Sequence, residues 1–175
     1  MNGPSTFNQV IEYFRNHQWS FQTDPGNRLL RAGFRGAHAE FRVAVTVNES
    51  DDVIEAVGIL PIVAPPGKRA QAAELCAYLS CGMRLGRFEM NPADGETRFH
   101  ASSAYPSGGL EKSVIQRVVG VTLVMSDEHF PAFVRVICGN ESPSAVALHI
   151  REQICNRQRA VPHPAMDLAA RLGLN

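Results

Sequence analysis

The chain has 175 residues, of which 45% are hydrophobic and 19% are charged, a balance typical of one globular domain with a sizeable core. Its 17 basic and 17 acidic residues give a formal net charge of zero. Proteins that bind nucleic acid or anionic membranes usually carry a basic excess, so we expect neither partner here.

Localisation is indicated by what the sequence lacks. No apolar run approaches the ~20 residues that span a bilayer, and the first residues show neither the basic nor the apolar region of a secretory signal. The cysteines form no CxxC pair and no zinc-spaced Cys/His ladder. We therefore expect a cytoplasmic protein with reduced thiols. The four cysteines are Cys76, Cys81, Cys138 and Cys155.

The first half of the chain predicts one helix and a run of strands. Apolar residues recur at helical spacing over residues 7–14, and a short extended piece follows near Trp19. Alternating patterns then predict strands over residues 29–34 and 40–48. Residues 53–63 predict a third strand, in which both the odd and the even positions are apolar from Ala56 onward, so that both of its faces are apolar. Such a strand is either more deeply buried than its neighbours or covered by another chain on its second face.

The next stretch predicts a helix over residues 68–80 and then a β-hairpin. The hairpin turn is Asn-Pro-Ala-Asp-Gly at residues 91–95, a composition that suits a tight turn. If Asn91 pairs with Glu96, Phe88 lies opposite Phe99 on the core face. Glu89 then faces Arg98 on the other side of the sheet, and Arg87 faces His100.

The remainder predicts helices. A long apolar stripe covers residues 110–125, and Ser126, Asp127 and Glu128 suggest a break with a new N-cap before a second helix that reaches Gly139. Ser142 and Pro143 fit the N-cap and first turn of a last helix. Residues 162–164 (Pro-His-Pro) predict a linker and residues 166–172 a short helical piece. We expect one domain over residues 4–140 and a helical tail over residues 141–175, packed on the domain or partly mobile.

The predicted order is α-β-β-β-α-β-β-α with a C-terminal helical tail. Strands joined in hairpin-connected runs, without one-to-one alternation with helices, indicate an α+β fold. We expect an antiparallel sheet with helices packed mainly on one face.

Four segments, in this order, resemble the YbjN-type family of bacterial sensory transduction regulators. They are VIEYFRNHQWSF (residues 10–21), LPIVAPPGKRAQAAELCAYLS (60–80), RLGRFEMNPADGETRFHASSAYPSGGL (84–110) and DEHFPAFVRVICGNESP (127–143). The resemblance implies a fold similar to that of type III secretion chaperones, which often serves as a binding platform or dimer. It implies no catalytic residues, and residues 144–175 lie outside it.

Three groups of residues invite a chemical interpretation, and each also has a structural one. Ser102, Ser103, His100 and Asp94 could form a hydrolase triad, but there is no GxSxG motif, and a solvated His100 beside Arg87 is favoured.

His149, Cys155 and His163 are spaced by six and eight residues, which favours structural or surface roles over a metal site. Gly108 and Gly109 precede the long helix and could place backbone N–H groups around an anion. No GxGxxG motif or Walker lysine accompanies them, so a sharp bend into the helix is the simpler interpretation. We therefore expect no metal and no cofactor.

The polar face of the hairpin is the remaining candidate binding surface, since an antiparallel sheet can also accept an added strand at its edge. Its residues are Arg87, Glu89, Glu96, Arg98 and His100, with Arg42 as a further candidate.

The apolar surplus of residues 53–63 and of the long helix leaves two alternatives open. The tail helix covers it within one chain, or a homodimer does.

Together these observations predict a non-enzymatic, cytosolic regulatory or chaperone-like module that binds a protein or peptide on its sheet or dimer surface. The alternative is a small-ligand sensor with a pocket between the sheet and the long helix, where Gly108 and Gly109 receive an anionic group.

Overall fold

The computed structural model describes residues 5–106 and 109–160, with side chains described to residue 154. The elements, in chain order, are α1 (Thr6–Asn16), β1 (Phe21–Asp24), β2 (Leu29–Arg35), β3 (Glu40–Asn48), β4 (Val53–Val63), α2 (Arg69–Ser80), β5 (Arg87–Met90), β6 (Glu96–Ala104), α3 (Lys112–Ile137) and α4 (Pro143–Ala160).

The strands form one six-stranded sheet in the order β1-β2-β3-β4-β6-β5, and every neighbouring pair is antiparallel. The predicted α+β class, with helices on one face, is confirmed. The first run has four strands where three were expected, because the extended piece after α1 pairs with β2 from Phe21↔Ala32 onward. Phe21 also packs edge-on against Phe14 of α1, with ring centroids 5.9 Å apart.

The core lies between the sheet and the helices. Cross-strand rows such as Val45–Ala56–Ala101 point towards the helices and are fully buried. The hairpin register expected from the sequence is confirmed, since Phe88 pairs with Phe99 and both rings are buried with centroids 5.0 Å apart. Burial of rings of this size contributes much of the hydrophobic stabilisation.

The predicted break at Ser126 is wrong, because α3 is continuous from Lys112 to Ile137 with Pro131 inside it. Ser126 is buried against Gly58 of β4 instead of capping a helix. The Asp127 carboxylate accepts hydrogen bonds from the backbone N–H groups of Ala37 (2.9 Å) and His38 (2.8 Å) at the tip of the β2–β3 hairpin. The side chains of Ser126 and Asp127 therefore form tertiary contacts and do not cap a helix. Inside α3, Pro131 has no backbone N–H, so one hydrogen bond of the helix is missing there.

Helix α4 lies on the helical layer. Val146 and Ala147 are buried in the core cluster, and Arg151 donates to the carbonyl of Tyr78 on α2 (3.1 Å). The helix packs on α2 and α3, on the helix side of the sheet. The linker and helical piece predicted over residues 162–172 lie outside the described residues, and the domain boundary near residue 140 stays a prediction.

None of the helices in the described ranges is long and apolar enough to cross a lipid bilayer.

Candidate functional site

The outer face of the sheet, which points away from the helices, carries two neighbouring rows of side chains in register. Each row crosses five strands. The first row is Arg31–Ala44–Val57–His100–Arg87, and the second is Gly33–Arg42–Ile59–Arg98–Glu89.

Glu89 is the centre of a charged cluster in these rows. Its carboxylate pairs with Arg87 (2.6 Å) and with Nε of Arg98 (2.9 Å), and one oxygen lies 3.4 Å from Nδ1 of His100. Burial raises the pKa of Glu89, but the Arg98 hydrogen bond and the charge of Arg87 outweigh it, so the pKa lies below its usual value. The structure therefore brings together four of the five residues singled out on this face.

Glu96, the fifth residue, lies on the same face but outside the cluster. It pairs with Val63 near the end of β4, and its backbone N–H donates to Asp94 in the turn (2.9 Å). Its carboxylate forms none of the contacts with Arg87, Arg98 and His100 that the Glu89 carboxylate forms.

His100 differs from the solvated residue expected, since its side chain is only 17% exposed. Nδ1 lies 3.3 Å from Arg87, as expected, and Nε2 lies 3.6 Å from Glu55. The contacts of the two ring nitrogens go to Arg87, Glu89 and Glu55 and not to Ser102 or Ser103, and the hydroxyl of Ser103 donates to the carbonyl of Ala104. The ring sits between two carboxylates and an arginine, and neither serine is placed within hydrogen-bond reach of it, so the geometry does not assemble the candidate triad.

An apolar strip separates the charges of the two halves of the sheet. We define this strip as Ala44, Val57 and Ile59, which are half-buried and are covered by none of the described helices. At the end of β4 the side chain of Val63 is 60% exposed. Strand β4 is therefore apolar on both faces because one face packs under α3 and the other carries an apolar strip that none of the described helices covers.

Arginines border the apolar strip on both sides. We call them the arginine flanks: Arg31 and Arg42 on β2 and β3, and Arg98 and Arg87 on β6 and β5. Arg42 is exposed and forms no ion pair with any described residue. Strand periodicity places each arginine on the polar side. Their alignment with Val57 and Ile59 needs the order of the strands, which local patterns do not contain.

The free edge of the sheet at β5 is partly blocked. Ser80 of α2 accepts the backbone N–H of Phe88 (2.8 Å) and approaches its carbonyl (3.4 Å). These are the groups that an added strand would need at this position, and such protection is a common way to prevent edge pairing. The outer face is therefore more accessible than this edge.

A cleft of about 680 Å³ lies between the tip of the β2–β3 hairpin, α3 and α4. Trp19, Phe34 and Phe41 contribute aromatic walls, and Val124 and Ile150 contribute aliphatic ones. Its size falls within the range of about 300–1,000 Å³ usual for small-molecule sites. Sequence patterns missed it because its walls come from elements more than 100 residues apart.

The candidate anion site lies only partly within the described residues, because Gly108 falls outside them. Gly109 has a φ of 120°, which favours glycine, and its N–H donates to the carbonyl of Pro106 (2.9 Å). The N–H of Leu110 donates to the side chain of Gln9 (3.2 Å). The geometry fits the bend into α3, and anion binding there stays a prediction.

The side chains of three of the cysteines are described, and all three thiols are free. Within the described ranges, no three side chains of His, Cys, Asp or Glu are grouped so that they could hold a metal ion.

Comparison with known proteins identifies a family. The YbjN family, described as "Putative bacterial sensory transduction regulator", matches residues 6–135. No curated protein matches the chain. The matched residues run from α1 to near the end of α3 and contain the whole sheet, with the outer face described above. The chain therefore belongs to the YbjN family.

Proposed function

We propose that the protein is a non-catalytic regulatory or chaperone-like interaction module of the cytoplasm, and that it binds a protein partner on the outer face of its sheet. The observation that carries this proposal is the apolar strip, which no described helix covers. The partner and the cytoplasmic location are both parts of the proposal.

Two further features support it. The Glu89 cluster holds Arg87 and Arg98 in fixed positions, so a partner would meet side chains that have already lost part of their conformational entropy. The family description, a sensory transduction regulator, fits a protein that acts by binding.

The test compares wild-type protein with two matched variants in affinity capture from native lysate. Ile59→Asp places a charge in the apolar strip, and Leu148→Asp places the same charge on α4, where Leu148 is 60% exposed. The proposal expects a specific captured protein with wild type and Leu148→Asp, and its loss with Ile59→Asp. Equal capture by both folded variants contradicts the proposal. Circular dichroism and thermal unfolding establish that each variant is folded.

The cleft supports a second candidate, a sensor of a small organic ligand. Its aromatic walls suit a flat or aliphatic body, and its volume suits a drug-sized molecule. This cleft is bordered by the long helix, but it lies at the hairpin tip and α4, remote from the start of the helix where Gly109 lies.

Thermal-shift measurements with panels of organic acids, nucleotides and sugars test the sensor. A ligand at 100 times its dissociation constant adds about 2.7 kcal/mol to the free energy of unfolding. The shift should disappear in Val124→Trp, which fills the cleft. An unchanged melting temperature across the panel, or a shift that Val124→Trp retains, rules the cleft out as the sensing site.

A further inference from the structure

The arginine flanks and the apolar strip have the dimensions of an α-helix. Neighbouring strands lie about 4.8 Å apart, so Arg42 and Arg98, each one strand away from Ile59, stand about 10 Å apart at their Cα atoms. An α-helix with its side chains is about 10–12 Å wide. Arg31 and Arg87 lie two strands from Val57 and extend the flanks outward.

The charge of these two rows is one-sided. They contain four arginines and one acidic residue, Glu89, with His100 as the remaining titratable group. Glu89 is shared by Arg87 and Arg98, so it neutralises only one of that pair. Three acidic residues border the rows at the next positions on this face. Glu55 on β4 faces His100 and Thr46, Glu40 on β3 pairs with Arg35, and Glu96 on β6 lies beyond Arg98. The chain as a whole is neutral, so this basic excess is local to the strip.

We infer that the partner segment is an acidic amphipathic helix, whose apolar ridge lies along Val57 and Ile59 and whose carboxylates meet the arginine flanks on both sides. This inference rests on the proposed function of the outer face and adds the chemistry of the partner. Helix-in-groove recognition uses apolar anchors at i, i+3, i+4 and i+7. Complementary charge would set orientation and speed association.

Other occupants fit these observations less well. An added strand would need an edge of the sheet. The outer-face rows end at the β5 edge, where Ser80 already binds Phe88, while the other edge, β1, is only four residues long. Single-stranded nucleic acid usually stacks on exposed aromatic rings, and neither row contains one. A second copy would bring two sets of arginine flanks together. Of the acidic residues on this face, Glu89 and Glu40 already pair with arginines of their own chain, which leaves Glu55 and Glu96 to offset the flanks.

The test uses the full chain and three labelled probes in fluorescence anisotropy. The first is a helical peptide of about 14 residues with leucines at helical spacing and glutamates on both flanks. The second has lysine at every glutamate position, and the third is a single-stranded oligonucleotide. We expect the glutamate peptide to bind at least about tenfold more tightly than the lysine peptide, and to lose affinity as salt rises from about 0.05 to 0.3 M.

Variants locate the binding. The double variant Arg31→Glu and Arg42→Glu should lower the affinity for the glutamate peptide about tenfold or more and raise the affinity for the lysine peptide. Both arginines lie outside the Glu89 cluster, so the fold should hold. The control exchanges Arg15 and Arg117, which are exposed on α1 and α3, for glutamate, and it should leave binding unchanged.

The outcomes separate the two levels of the proposal. If the lysine peptide or the oligonucleotide binds better and Ile59→Asp abolishes that binding, the acidic helix is wrong and the outer face remains a binding surface. If Ile59→Asp affects the binding of none of the probes, both proposals are wrong. A concentration-dependent dimer that Ile59→Asp dissociates assigns the face to a second copy and overturns the acidic helix.

Discussion

The hydroxyl of Ser126 on α3 lies against Gly58 of β4, where any other residue would carry its Cβ. Ser126 is fully buried, and its hydroxyl has no hydrogen-bond partner among the described residues. The absence of a side chain at Gly58 therefore lets α3 come close to the centre of the sheet.

Gly58→Ala should lower the free energy of unfolding by about 1–3 kcal/mol, because the new methyl group overpacks this contact. Ser126→Ala alone should be close to neutral, since it removes a buried and unpaired hydroxyl. The double variant should recover part of the loss, and denaturant unfolding of all four proteins measures the coupling. Strictly additive effects would show that the two residues do not limit the approach of α3.

Asp127→Ala should release the tip of the β2–β3 hairpin, because the N–H groups of Ala37 and His38 lose their acceptor. Hydrogen bonds to a charged group on a partly exposed site are worth about 1–2 kcal/mol in stability. Amide hydrogen exchange should accelerate at Ala37 and His38, while Asp127→Asn keeps one oxygen acceptor and part of the protection. Unchanged exchange in Asp127→Ala contradicts this account.

Because of Glu89, the free energy of unfolding should fall as the pH is lowered into the acid range. The pKa of this carboxyl group is lower in the folded chain than in the unfolded one, so it stabilises the fold above the unfolded pKa of about 4.3. This contribution is lost as the pH falls through the folded pKa, when the carboxylate that faces Arg87, Arg98 and His100 becomes protonated.

The matching variant is Glu89→Gln, which should be less stable than wild type by about 1 kcal/mol at neutral pH. The difference should shrink below pH of about 4. Urea unfolding over a pH series measures it. A difference that stays constant down to the acid transition shows that the Glu89 charge is not responsible.

Cys76 should be the least reactive of the three described thiols. Burial raises its pKa to about 12, while Cys81 and Cys138 are exposed. Because the thiolate is the nucleophile, alkylation of the native protein should modify Cys81 and Cys138 well before Cys76. Peptide mass mapping over time checks this order, and labelling in denaturant provides the control. Early labelling of Cys76 would mean that the packing of α2 against the rest of the domain does not shield this thiol.

The β5–β6 hairpin could be predicted from the sequence because its information is local. A turn of suitable residues fixes the register, and alternation on each side fixes the face, so the pairing of Phe88 with Phe99 and of Glu89 with Arg98 follows. The whole pattern lies within one short continuous segment, from Arg87 to Ala104.

The error at Ser126 has the opposite cause. Ser-Asp-Glu is a good capping sequence, but the partners of Ser126 and Asp127 are Gly58 and the 37–38 backbone, which lie far away in the chain. Tertiary contacts overrode the local signal. The arginine flanks depend likewise on the placing of β6 beside β4 across α2, which no local pattern contains.

The proposed binding of a protein partner on the outer face is the central claim, and site-specific photo-crosslinking in intact cells tests it most directly. A photoreactive phenylalanine analogue at position 46, where Thr46 lies on this face beside the apolar strip, is compared with the same group at positions 117 and 124, on the helical side and in the cleft. We expect a discrete adduct with another protein from position 46 and none from position 117. Adducts that form from position 124 and not from position 46 would place the interaction at the cleft and contradict the account.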